Sequence, residues 1–240
     1  MGTDIHGFIE CRWDRWLDED DREWFPAIDL AHLYNGRDYV AFGSLFGVRD
    51  TTSFRALADH RGLPPDTSQE VLADFSTWSN ELHGESWISW AELAAADGDE
   101  VSNEVDHCVH EFRRGSDGGW RMHGRNTDLT RFAELSGFTD TQRLHRAGTA
   151  YPENTEWPDG DRLFRVGRLR RKDAVPDSEW GAVWSVMRTL ADLHGDEAVR
   201  VVVWFDGSPL PHTQKPRPTC CLSRSDGVSR PVAAPGFEPG

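Results

Sequence analysis

The sequence predicts an α+β fold in which a mixed or antiparallel sheet contains both the first and the last strand and is packed by several helices. Three observations predict it: strand-like alternation over residues 4–12, a nearly continuous apolar run at 199–205 (VRVVVWF), and capped helical patterns between them. In the first segment Ile5, Gly7, Ile9 and Cys11 fall on one face and Asp4, His6, Phe8 and Glu10 on the other. Residues 37–49 (RDYVAFGSLFGVR) place Tyr39, Phe42, Leu45 and Phe46 at helical spacing between two arginines. Thr67 with Glu70 reads as a capping box opening a helix through about Trp78, and Ser89 with Glu92 as a second, opening a helix to about Ala96. Asp128 caps a short helix over Leu129 to Leu135 that stops at Gly137. After Pro176-Asp177, a longer helix carries Trp180, Val183, Trp184, Met187, Leu190 and Ala191 on one stripe and ends at Gly195. Further strands are expected near Trp120 to His123 and Leu163 to Leu169, and no internal repeat is visible. The last run is closed by Asp206-Gly207, and its unbroken apolar character is that of an interior strand.

The chain has 240 residues, which fits one globular domain over 1–207 followed by a tail. Seven of the 13 prolines lie in residues 208–240 with no apolar periodicity, so that segment is expected to be disordered. The net charge is −15; removing the tail's four basic and two acidic residues from the totals of 26 and 41 leaves −17. Such a balance argues against broad nucleic-acid binding and leaves a small-molecule or protein partner. No apolar run approaches the roughly 20 residues that cross a bilayer, and Met1-Gly2-Thr3-Asp4 lacks a secretory n-region, so a soluble, cytoplasmic protein without membrane contact is expected. Cys11, Cys108 and the adjacent Cys220-Cys221 suit neither a disulfide framework nor the CxxC spacing of a zinc site.

Five blocks occur in a recognisable order: MGTDIHGFIECR, RDYVAFGSLFGVR, RGLPPDTS at 61–68, HGESW at 83–87 and VVVWFDG. Together they resemble a phage and bacterial protein family opening with MGxDIH. The resemblance covers most of residues 1–207 and implies a folded intracellular domain; it transfers no reaction and no catalytic residue. Where the family pattern is H-S-x-S-W this chain has His83-Gly84-Glu85-Ser86-Trp87, so no role passes to a serine at position 84.

Asp4 and His6 are two apart on one strand face, about 7 Å at the backbone, close enough to share a divalent metal or to form an Asp-oriented imidazole. Glu10, a further 13 Å or so away, belongs to a rim or to solvent. The structural use of the same pair is a loop-bonding Asp4 and a satisfied His6. His83-Gly84-Glu85-Ser86-Trp87 is expected in a loop ahead of a capped helix, where His83 supplies a second histidine and Ser86 a ligand contact; ordinary turn punctuation explains the segment equally well. Arg37 and Arg49 suit phosphate or carboxylate recognition, but in so acidic a chain structural ion pairs with Asp38, Asp50 or other carboxylates are the preferred reading. His107, His110 and Glu111 would share a helix face, but H-x-x-H-E is not the H-E-x-x-H of zinc proteases. Arg162, Arg165, Arg168, Arg170, Arg171 and Lys172 form the strongest basic stretch, read as a solvated edge in preference to a phosphate contact. No nucleotide-cradling glycine motif and no nucleophile elbow occurs.

The expected function is a metal-assisted hydrolase acting on a phosphorylated or nucleotide-like ligand. In that scheme Asp4 and His6 hold a divalent metal or activate water, His83 acts as acid/base, and Arg37 neutralises ligand charge, with Arg49 and Ser86 as further ligand contacts. The alternative is a non-enzymatic acidic interaction protein, a phage-type accessory factor or nucleic-acid charge mimic.

Overall fold

The computed structural model describes residues 2–13, 23–50, 54–77 and 82–207, all within one compact unit, Met1–Ser208. The expected disordered segment 208–240, with Cys220 and Cys221, lies outside the described residues, as does Trp78.

The chain is mixed α+β, as its patterning predicts, but it builds two antiparallel sheets where one was expected. The elements run β1 (Thr3–Arg12), β2 (Trp24–Asp29), α1 (Tyr39–Phe46), α2 (Gln69–Ser76), β3 (Leu82–Ser89), α3 (Trp90–Ala95), β4 (His110–Arg114), β5 (Trp120–Arg125), α4 (Leu129–Ser136), β6 (Glu156–Asp159), β7 (Arg162–Arg165), α5 (Arg171–Ala174), α6 (Asp177–His194) and β8 (Val199–Gly207). The first sheet has the order β2-β1-β8-β3 and the second β5-β4-β7-β6. The first and last strands are therefore neighbours, with Ile5 opposite Phe205 and Ile9 opposite Val201.

Alternation decides what each face of the first sheet meets. Ile5, Ile9 and Cys11 of β1 and Val199, Val201, Val203 and Phe205 of β8 join Phe42, Leu45 and Phe46 of α1 and Trp180, Val183, Met187 and Ala191 of α6 in the main core. On the other face Phe8, Val202 and Trp204 pack with Val71 and Phe75 of α2 and with Trp87. Covered on both faces, β8 reads as one continuous apolar run although its pairing is antiparallel. Gly7 is required where β1 crosses it: its φ is 150°, and a Cβ there would overlap the Val202 carbonyl oxygen.

Local signals place the helices well. Ser89 and Glu92 form the reciprocal capping box of α3, Asp128 caps α4 through the Arg131 N–H, and Gly47 and Gly137 end α1 and α4 in the left-handed region. The start of α2 corrects the reading by one residue. Ser68, not Thr67, accepts from the Val71 N–H, while Thr67 donates its hydroxyl to the Pro64 carbonyl.

The second sheet buries Val109, Phe164 and Val166 against Phe132 of α4, with Trp157, Tyr151 and Phe138 around that ring. Arg171 joins this region to α1. Its buried guanidinium donates to Ser44 O and Oγ, to Arg55 O and to Glu100, and it lies over the Phe54 ring.

A charge also sits inside the first sheet. Arg200 of β8, 3% exposed, donates to Glu10 of β1, which is fully buried, at 2.9 Å and 2.8 Å. It also reaches Asp66 at 2.7 Å and stacks 3.7 Å over Trp24, whose indole N–H donates to Asp66 at 2.8 Å. Glu10 in turn accepts from the Ser68 N–H. Glu10 is thus an interior residue, not the rim residue its spacing predicts. Arg200→Ala strands that carboxylate in the interior and is expected to cost about 3–5 kcal/mol. Urea unfolding checks this as a lower midpoint at unchanged slope.

Candidate functional site

The β1–β8 register sets Asp4 opposite Asp206 and His6 opposite Trp204, so Asp4, His6 and Asp206 share one face at one end of the first sheet. Asp206 adjoins both: its Oδ1 accepts from the Asp4 N–H at 3.1 Å, and its Oδ2 lies 3.4 Å from His6 Nε2. Asp4 is gripped by Arg37, which donates Nε at 2.5 Å to one carboxylate oxygen and Nη2 at 2.8 Å to the other. That fork, working against partial burial, holds the Asp4 carboxyl below its ordinary value. Beside it Arg49 donates to Thr3 Oγ1 at 2.5 Å and lies over the Tyr39 ring, whose hydroxyl accepts from the Thr3 N–H. Asp4, His6 and Arg37, all singled out in the sequence, therefore meet at this end of β1, and Arg49 is bonded to Thr3 on the other face of the strand.

The two arginines find other partners than their neighbours in sequence. Asp38 does not pair with Arg37; it caps α1, accepting from the Val40 and Ala41 N–H groups at 3.0 and 3.3 Å. The remaining two candidates lie elsewhere. His83-Gly84-Glu85-Ser86-Trp87 is part of strand β3, not a loop, with a register shift between His83 and Ser86 where Gly84 has φ 65°. His83 is opposite Phe205 and therefore on the face away from Asp4, His6 and Asp206. Ser86 is fully buried, donating to Ala58 O at 2.5 Å and accepting from the Arg61 N–H, which is a structural use of its hydroxyl.

Arg37 also belongs to a cleft of about 650 Å³ lined by residues 31–38 and by Glu179 from the first turn of α6. The floor is Tyr34, stacked on Trp180 at 4.3 Å and accepting from the Asp38 N–H at 3.2 Å. Burial raises the carboxyl of Asp38 against its backbone hydrogen bonds; burial and then the charge of Asp38 raise that of Glu179. Asp38 enters the sequence reading only as a partner for Arg37, and Glu179 has no signature beyond a first helical turn.

A second polar cluster surrounds Asp106. His110 and Glu111 are on strand β4, so the helix face proposed for His107, His110 and Glu111 does not exist. Among the described residues, Asp106, His107 and Cys108 are the group that brings three ligand-type atoms within 4.8 Å of one another; Asp4 and His6 do not belong to such a group. Asp106 is saturated, however. Oδ1 accepts from the Cys108 N–H and Arg125 Nη2, and Oδ2 from His110 Nε2 and Arg125 Nε. Burial would raise this carboxyl, but the bonds from His110 and Arg125 outweigh it and the net shift is strongly downward. Burial pushes the Cys108 thiol up to about 11, away from the thiolate a metal takes. A cation entering here would have to displace Arg125, so the cluster is read as structural.

The basic stretch is likewise consumed by pairing. Arg162 binds Asp128 and Glu111, Arg165 binds Glu156, Arg168 binds Glu153, Arg170 and Lys172 share Asp99, and Arg171 binds Glu100.

Comparison of the chain with protein-family models, curated proteins and solved structures finds no match. No described helix is long and apolar enough to cross a membrane.

Because the folded-state pKa of Asp106 lies below its unfolded value near 3.8, its stabilisation is present above that value and is lost as pH falls through the depressed one. Asp106→Asn is expected to cost about 3–5 kcal/mol at neutral pH. The difference from wild type should be smaller at pH 3 than at pH 7, read from urea unfolding at both.

Proposed function

We propose that the chain is a small-molecule hydrolase that takes a phosphorylated or nucleotide-like ligand in the cleft at residues 31–38. The observation that carries this reading is the position of Arg37, 53% exposed, with one edge of its guanidinium fixed by Asp4 and the side chain lining the cleft. A guanidinium held through Nε and Nη2 leaves its Nη1 group outside the carboxylate fork, with donors for an incoming anion. His6, whose Nε2 lies 3.4 Å from Asp206 Oδ2, is the proton-transfer group in this scheme, exchanging a proton with water or the leaving group. His83 has no part in it, because the register puts it on the other face. Asp4 serves as the positioner of Arg37, since both of its oxygens are engaged there and a divalent ion would have to break that fork.

The acidic charge-mimic alternative needs carboxylates displayed over a broad face. Around the second sheet they are matched one by one with arginines instead, which favours the cleft reading.

Thermal-shift titration with inorganic phosphate and a nucleotide panel tests the binding. The expected result is a concentration-dependent rise in Tm for wild type that Arg37→Ala loses. The first ligand that binds then serves as substrate. His6→Ala should keep its binding and lower its turnover by about 10²-fold or more. Undiminished turnover in that variant removes His6 from the mechanism.

A further inference from the structure

Asp4 already neutralises Arg37, so the charge remaining in the cleft is set by the other groups that face it. Those are the carboxylates of Asp38 and Glu179, with His32 and the phenol of Tyr34. Among the described residues neither Asp38 nor Glu179 has an ion-pair partner. The cation whose charge bears on Asp38 is Arg125, and its guanidinium is committed through Nε and Nη2 to Asp106. One oxygen of Asp38 is turned to the α1 N–H groups, and Glu179 is exposed on the opposite wall. The cleft lining therefore carries both signs of charge, a guanidinium tethered to Asp4 and two carboxylates without an ion-pair partner among the described residues.

A purely anionic ligand matches only one of these two signs. A dianionic phosphate on Arg37 would face Asp4, Asp38 and Glu179, and the repulsion offsets what the single guanidinium contributes. An ammonium placed between Asp38 and Glu179 reverses that balance. It supplies the missing counter-charge and offsets the Asp38 charge that bears on Glu179. The volume of about 650 Å³ is that of a small-molecule cleft, with room for both ends of such a ligand.

From the cavity and its lining we infer that the ligand is zwitterionic, an amine-bearing phosphate or carboxylate whose anionic group sits on Arg37 and whose ammonium sits between Asp38 and Glu179. This rests on the reading of Arg37 as the anion anchor and adds the chemistry of the ligand's other end. It narrows nucleotide-like ligands to those that carry a cationic amine.

Isothermal titration with O-phosphoethanolamine and with ethyl phosphate, which has no amine, tests it on the full chain. Wild type is expected to bind the amine-bearing probe roughly tenfold more tightly, a gap of about one well-placed ion pair. The gap should close in Glu179→Gln and shrink in Asp38→Asn. Asparagine keeps the cap of α1 and glutamine sits on an exposed turn, so both variants should fold, which circular dichroism verifies. Equal affinity for the two probes, or a gap that survives both substitutions, overturns the zwitterion inference. If Arg37→Ala still weakens both probes in that case, the anion anchor stands. Absence of binding by either probe, or binding indifferent to Arg37→Ala, overturns the anchor and the inference together.

Discussion

A single buried cation in the middle of the first sheet constrains everything around it. Arg200 stands on a strand that is covered on both faces, where a guanidinium is tolerated only with a carboxylate in hydrogen-bonding reach. Glu10 meets that need from the neighbouring strand, and Asp66 and Trp24 complete the enclosure from the segment before α2 and from β2. A one-residue slip of β1 against β8 would set Arg200 beside an apolar side chain and leave Glu10 unmatched. The pair therefore fixes the register, and the register six residues away places Asp4 opposite Asp206. The polar end of the sheet inherits its geometry from an ion pair that takes no part in binding.

The acidity of the chain is distributed unevenly in function as well as in space. Around the second sheet, carboxylates serve as counter-ions that hold arginines in place: Arg131 to Asp159, Arg162 to Asp128, Arg165 to Glu156. At the end of the first sheet Asp4 does the same for Arg37, and the arrangement differs only in that the arginine borders open space. Asp38 and Glu179 stand apart from this pattern, which is why a charge count over the sequence says little about the cleft.

Much of the architecture could be read directly from the residues, because its signals are local. Alternation in residues 4–12 assigned both faces of β1 correctly, and the stripe from Trp180 to Ala191 and the caps Ser89 and Asp128 marked their helices. The second sheet was only half visible. β5 and β7 were anticipated, but β4 and β6, like β2 of the first sheet, were not: they are four to six residues long, and HEFRR or EWPD shows neither alternation nor an apolar run. HGESW misled through its glycine, which marks a bulge inside a strand and not the end of one. The candidate site was legible in part for a related reason. Asp4 and His6 share a strand, so their neighbourhood follows from spacing; Arg37 was singled out for its chemistry, but its partner is 33 residues away. Asp206 and Glu179 enter through pairing and packing across the whole chain, and no short motif encodes that.

The adjacency of β1 and β8 also bears on how the chain reaches this state. Glu10 and Arg200 are separated by 190 residues, so on the ribosome β1 is made long before the strand that completes it. At synthesis rates of about 5–20 residues per second the gap lasts roughly 10–40 s. During that interval the face of β1 carrying Ile5, Ile9 and Cys11 has no β8 to pair with, and a nascent edge of this kind invites the attention of holding chaperones. Closing so distant a contact is slow in any topology. The late strand then brings with it the apolar run that seals both faces, so the last step of sheet assembly is also the one that buries the most.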